Sequence, residues 1–157
     1  MNYRIREVEP RDVNELVRLC AEHAEFEQAD FSAAGKAERL APLLFSNSPR
    51  LFCLIVENED EILGYAAFML ELSTWDAARY VHMDCLFLRP HARNFGIGKQ
   101  LIREIARRAQ LLECKQIQWQ TPEANERAIN FYHRLGARAK TKVRFYLDET
   151  TITKLAE

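Results

Sequence analysis

The sequence is poor in the residues that punctuate or cross-link a chain, with Gly 5, Pro 5 and Cys 4 among 157 residues. The cysteines, Cys20, Cys53, Cys85 and Cys114, stand far apart and form no CxxC pair. That excludes the common zinc spacings and a dense disulfide framework, and leaves reduced thiols in a cytoplasmic protein as the expectation. An excess of one charge is also lacking. Lys and Arg number 22 against 23 Asp and Glu, for a formal net charge of -1, so the whole molecule has no electrostatic claim on nucleic acid. No apolar run approaches the roughly 18 residues of a membrane span, and the opening MNYRIREVEPRD has no apolar signal core. Neither export nor membrane anchoring is expected. There is no internal repeat and no low-complexity segment.

What remains is an ordinary globular composition. At 48% hydrophobic residues the chain is too apolar for disorder, and its length suits one domain, 1–157, around a single core. YRIREVEP alternates and stops at Pro10, which predicts an edge strand followed by a turn. Asp12 then caps a helix whose apolar face is Val13, Leu16, Val17, Cys20, Ala21 and Ala24. AAGKAERLAPLLFSNSP is read as a short helix or irregular lid broken at Pro42. RLFCLIVENEDEILGYAAFMLEL is two apolar runs about an acidic turn, a β-hairpin. RYVHMDCLFLRP is a further strand stopped by Pro90. Leu101, Ile102, Ile105, Ala109 and Leu112 line one face of the next helix. KQIQWQT is expected to be a strand, and NERAINFYHRLG a helix capped by Asn125 and ended at Gly136. TKVRFYLD is expected to be a last strand.

Two of the five glycines, Gly96 and Gly98, fall where the RYVHMDCLFLRP strand gives way to a helix. A helix amino terminus exposes unpaired N–H groups and the positive end of its dipole, so strand, glycine turn and helix together form an anion cradle from Arg93 to Lys99. Small residues there let a diphosphate approach the backbone, while Arg93 and Lys99 supply cations. The pattern is neither a P-loop, which needs GxxxxGK[ST], nor a Rossmann turn, which needs a third glycine and a later acid.

RNFGIG, Arg93 to Gly98, resembles the [Q/R]xxGx[G/A] loop of the GNAT superfamily of acetyl-CoA-dependent N-acetyltransferases. NERAINFYHRLGA, Asn125 to Ala137, resembles that superfamily's second segment. Within it the chain is most similar to the diamine (spermidine/spermine-like) branch, through AEFEQ, STW and DCLFLRPHARNFGIG. The resemblance implies an α/β (α+β) GNAT fold: a mixed, mostly antiparallel central sheet flanked by helices and splayed at its central strands. It implies acetyl-CoA held by Leu86, Phe87, Leu88, Arg93, Asn94, Phe95, Gly96, Ile97, Gly98, Lys99, Asn125 and Ala128. The amides of Leu86 and Leu88 would serve the acetyl carbonyl and the pantetheine arm. It further implies a small-molecule amine as acceptor and a homodimer, to which the apolar Val143 and Phe145 would contribute.

The chemistry assigns roles. An acceptor amine must lose a proton, and Asp84, a lone acid in an apolar strand, is the candidate base, directly or through water. Relatives carry Glu-Asp where this chain has Asp84 and Cys85, so one carboxylate is shortened and the other lost. Tyr132 matches the superfamily's general acid for the departing thiolate. The resemblance implies Glu27 and Trp75, with Asp84, as acceptor contacts; Glu27 lies in an acidic stretch that also holds Glu22, Glu25 and Asp30. His82, two residues before Asp84, either shares that proton work or is a packed or hydrogen-bonded residue. The alternatives are a non-catalytic acyl-CoA sensor, an enzyme acting on protein amino groups, and an acyl-cysteine route through Cys85.

Overall fold

The alternation at the start of the chain forms β1 (Arg4–Glu7), which pairs antiparallel with β2 (Phe52–Glu57). The computed structural model describes residues 1–157, which divide into two units, Met1–Pro122 and Glu123–Glu157. In the first, the sheet runs β1-β2-β3-β4-β5, with β3 (Ile62–Ser73), β4 (Ala78–Leu88) and β5 (Ile117–Gln118). Every neighbouring pair is antiparallel except β4 and β5, which run parallel. The mixed, mostly antiparallel sheet expected from sequence is therefore the one observed. The acidic turn of the β2–β3 hairpin is made by Asn58, whose side-chain oxygen accepts from the N–H groups of Asp60 and Glu61 at 2.9 and 2.8 Å.

One face of the sheet is covered by α1 (Val13–Phe26) and α2 (Lys36–Phe45). Leu16 and Leu19 of α1 and Leu44 of α2 close a core with Cys53, Ile55, Tyr65, Ala67 and Phe87 from β2, β3 and β4. Side chains alternate along a strand, so Phe68 points away from Tyr65 and Ala67. It lies beneath Arg108 of α3 (Ile97–Leu111). That helix covers the second face, burying Ile97, Leu101, Ile105 and Ala109 at three- and four-residue spacing.

Three local expectations need correction within this unit. Asp12 does not cap α1 with its side chain. Its carboxylate instead takes the Glu9 N–H at 2.7 Å and a bidentate contact from Arg6. Pro42 lies inside a continuous α2 rather than breaking it. It removes one helical N–H, and the carbonyl thus released belongs to Glu38, an exposed residue that water can satisfy. The strand read across KQIQWQT shortens to Ile117–Gln118.

The second unit contains α4 (Glu126–Arg134) and α5 (Glu149–Ala156). Asn125 caps α4 as expected, its side chain accepting from the Ala128 N–H at 3.1 Å, and Gly136 ends it in the left-handed region at φ 87°. TKVRFYLD is not a strand. Its alternating pattern fits one, but a strand needs a ladder partner, and this unit holds only helices. The following helix, α5, escaped sequence reading although Asp148 caps it, accepting from the Thr151 N–H at 2.8 Å.

Candidate active site

The ladder between β4 and β5 ends early. Only Val81 and His82 pair with Ile117 and Gln118, so β4 continues from Met83 to Leu88 with no strand on its β5 side. This opening is the splay expected near Leu86 to Leu88. On the other edge of β4 the register slips. Ala67 pairs with Cys85 and Phe68 with Met83, which leaves Asp84 as the extra residue of a β-bulge. The slip reverses the facing of β4. Met83 shares the α3 face with its partner Phe68, whereas Cys85 and Phe87 share the α1 face with Ala67 and Tyr65. Asp84 sits at that reversal with its carboxylate exposed.

Beyond Leu88 the chain turns through Pro90 to Ala92 and enters the glycine loop. Asn94 takes φ 72° and Gly96 φ 76°, two left-handed residues that aim the chain into α3. No side chain caps α3, so its first-turn N–H groups are left to meet a ligand or water. The space beside Gly96 is open, since a Cβ built there meets nothing within 4 Å. Ile97 is buried and anchors the helix; Phe95 and Lys99 are exposed beside it. Arg93 also makes contacts within the protein. Its Nε donates to the Leu88 carbonyl at 2.8 Å, and its guanidinium lies 4.5 Å from the Phe26 ring centroid and 5.7 Å from that of Phe87. It ties the cradle to β4 and to the end of α1.

The same end of α1 carries a cluster that sequence reading missed. Tyr65 is buried in mid-strand, and its hydroxyl lies 3.2 Å from His23 Nδ1. His23 Nε2 is 3.3 Å from Glu27 Oε1, and the imidazole stacks on Phe87 with centroids 5.1 Å apart. Burial holds His23 below the usual histidine range, against the opposing pull of Glu27 and Asp84. Burial above all, then the Asp84 charge, pushes the Cys85 thiol up to about 12, and burial also raises Cys20 and Tyr65. Two sequence signals existed: His23 and Glu27 stand four residues apart on one helix, and Tyr65 is a lone hydroxyl in an apolar run.

The other predicted residues separate. Glu22 is spoken for by Arg89, whose guanidinium also binds Glu15 and Glu61 at 2.8 and 2.7 Å. Glu27, Glu25 and Asp30 remain exposed. Trp75 is 98% exposed in the β3–β4 turn, and Asp84 lies six residues along β4 from Ala78, the end of that turn, roughly 20 Å away. In the second unit, Tyr132 is half-buried on α4 with its ring 5.1 Å from that of Phe131, and Asn125 and Ala128 are joined by the helix cap. No group of three His, Cys, Asp or Glu side chains is arranged to hold a metal ion.

The model of the acetyltransferase (GNAT) family matches residues 14–137. The chain belongs to the GNAT acetyltransferase family. Mouse thialysine N-epsilon-acetyltransferase is 30% identical over 147 residues, covering 88% of this GNAT chain and 86% of the relative. Human spermidine/spermine N(1)-acetyltransferase-like protein 1 is 23% identical over 142 residues, covering 86% of this chain and 20% of that longer protein. Both are in line with the diamine branch. Among solved structures, an integron cassette protein from the mobile metagenome of V. cholerae superposes with a TM-score of 0.80 at 26% identity, covering 100% of this chain and 99% of that one. The fold and the family expected from RNFGIG and NERAINFYHRLGA are thus the ones found.

Proposed function

We propose that this chain is an acetyl-CoA-dependent N-acetyltransferase that moves an acetyl group onto a primary amine of a small polyamine-like or amino-acid-like molecule by direct transfer. The observation that carries the reading is the continuity of two features. A strand edge without a ladder partner, Met83 to Leu88, runs into a helix start without a cap, Ile97 to Lys99. An elongated ligand with a diphosphate at one end and an amide-bearing arm along its length fits that pair, with helix N–H groups for the anion and strand amides for the arm. Leu86, Phe87 and Leu88 would line the arm. Arg93, Asn94, Phe95, Gly96, Ile97, Gly98 and Lys99 would surround the diphosphate, with Asn125 and Ala128 assigned to the same ligand by motif. The bound acetyl-CoA supplies an activated thioester.

The residues divide the proton work. Asp84 would take the acceptor amine's proton, directly or through one water, and Tyr132 would give a proton to the departing thiolate. Support for Asp84 is its place at the bulge, where a short carboxylate stays exposed inside an otherwise apolar strand; support for Tyr132 is the matched NERAINFYHRLGA segment. Glu27 receives the acceptor's ammonium, and Trp75 remains a candidate for an acceptor contact on the motif alone. The raised Cys85 thiol argues against an acyl-cysteine route, because the thiolate is the nucleophile and burial suppresses it. The reading includes a single working domain and, through the exposed Val143 and Phe145, a homodimer. With four free cysteines it also includes a reducing, cytoplasmic setting.

Titration calorimetry with coenzyme A and thiol release from acetyl-CoA with a diamine panel test this together. Heat of binding with amine-dependent thiol release is the expected result. Binding without turnover on any amine, unchanged in Tyr132→Phe, would replace the enzyme by an acyl-CoA sensor. Folded protein giving no heat would remove both.

A further inference from the structure

The end of α1 and the facing strand β3 bring together three groups in series that no motif predicts. Glu27 Oε1 lies 3.3 Å from His23 Nε2, and His23 Nδ1 lies 3.2 Å from the Tyr65 hydroxyl. The donors can be assigned by elimination. An ionised carboxylate only accepts, so Nε2 carries the hydrogen and donates to Glu27; the neutral ring then accepts at Nδ1, and the phenol donates. Tyr65 is 2% exposed and the His23 side chain 16%, so one end of this series is fixed in the core while the other reaches the surface at Glu27. Phe87 stacks beneath the imidazole and holds its plane.

We propose that His23 is a positioning residue that fixes the Glu27 carboxylate for a cationic acceptor and makes acceptor affinity depend on pH. This rests on Glu27 being the acid that meets the acceptor. With the ring neutral, Glu27 presents a full negative charge oriented by a single hydrogen bond. When the ring gains a proton at Nδ1, the imidazolium pairs with Glu27, cancels its charge toward the acceptor, and displaces the phenol from donor to acceptor. The charged and titratable groups around the ring come from every element packed on it: Glu27 at the C-cap of α1, Tyr65 on β3, Asp84 on β4 and Arg93 in the cradle loop. The two acids favour the imidazolium, while Arg93 and burial oppose it; burial weighs most, so the ring is neutral at pH 7 and charges only below the usual histidine range.

Steady-state kinetics and histidine NMR on the full chain test this. For a diamine acceptor, wild-type KM rises about tenfold as pH falls through the His23 titration, the loss expected for one charge-assisted contact. His23→Gln keeps an amide N–H for Glu27 and an oxygen for Tyr65, so its KM stays level across that interval. His23→Leu raises KM at neutral pH with kcat within about twofold, as for a loss of uniform binding. Imidazole nitrogen shifts report the Nε2–H tautomer, and Glu27→Gln moves the His23 midpoint downward. If His23→Gln retains the wild-type pH dependence of KM, or Glu27→Gln leaves the His23 midpoint unmoved while itself raising KM, the positioning role is overturned and the Glu27 reading survives. If the midpoint moves but Glu27→Gln leaves KM unchanged, the acceptor reading of Glu27 has failed and takes this inference with it.

Discussion

Asp84 owes its exposure to a slip of one position in the ladder, between the pairs Ala67/Cys85 and Phe68/Met83. The bulge keeps its carboxylate at the splay rather than buried between strands. Asp84→Asn should therefore lower kcat by about a hundredfold, the scale of a lost general base, while coenzyme A binding heat is retained. Rates with saturating diamine and calorimetry on the same sample check both halves. As a lone acid in an apolar strand, Asp84 is legible in the amino-acid sequence. The bulge is not, because the slip follows from packing on both faces of the sheet and not from local composition. His23 and Tyr65 each leave a weak signal in the sequence, but their pairing does not. Each reads alone as a packed core residue, and only the fold brings position 65 beside position 23.

Elements are legible where their own periodicity suffices, and fail where a partner decides them. The amphipathic α1 and α3, the Asn58 hairpin and the Asn125 cap follow from side-chain spacing and local hydrogen bonds. The strands at KQIQWQT and TKVRFYLD depend on a ladder supplied by other segments, and the first is cut to two residues while the second does not form. Gly96 belongs to the legible set. At φ 76° with nothing within 4 Å of an added Cβ, substitution is opposed by backbone conformation rather than by crowding. Gly96→Ala should thus cost about 1 kcal/mol in urea unfolding, and weaken coenzyme A binding by disturbing the entry into α3. Arg89 secures the same loop from behind, joining Glu15 and Glu22 of α1 to Glu61 of the hairpin turn and to the Ile62 carbonyl at 2.8 Å.

For the whole molecule, near-neutral net charge means that acid unfolding is governed by particular carboxylates rather than by general repulsion at moderate pH. The governing set is at the amino-terminal edge. Arg6 donates to Asp12 at 2.7 and 3.0 Å and to Glu57 at 2.7 Å, and Arg4 also contacts Glu57. The Arg6 hydrogen bond is the chief cause holding Asp12 below its ordinary value and bringing Glu57 down to about 2. A depressed carboxylate adds stability that is full above its unfolded pKa and disappears as pH falls toward its folded one. Melting temperature should therefore decline between about pH 4.5 and pH 2, and Arg6→Met should lower it at pH 7 while flattening that decline.

The early end of the β4–β5 ladder has a consequence for solvent. Amides of Met83 to Leu88 that do not face β3 have no partner strand to shield them, so in the free protein they should trade hydrogen for deuterium far faster than those at Val81 and His82. Adding coenzyme A should slow that exchange along the same short rail and leave β1 and β2 untouched, so mass spectrometry of the peptide would trace the ligand's path amide by amide.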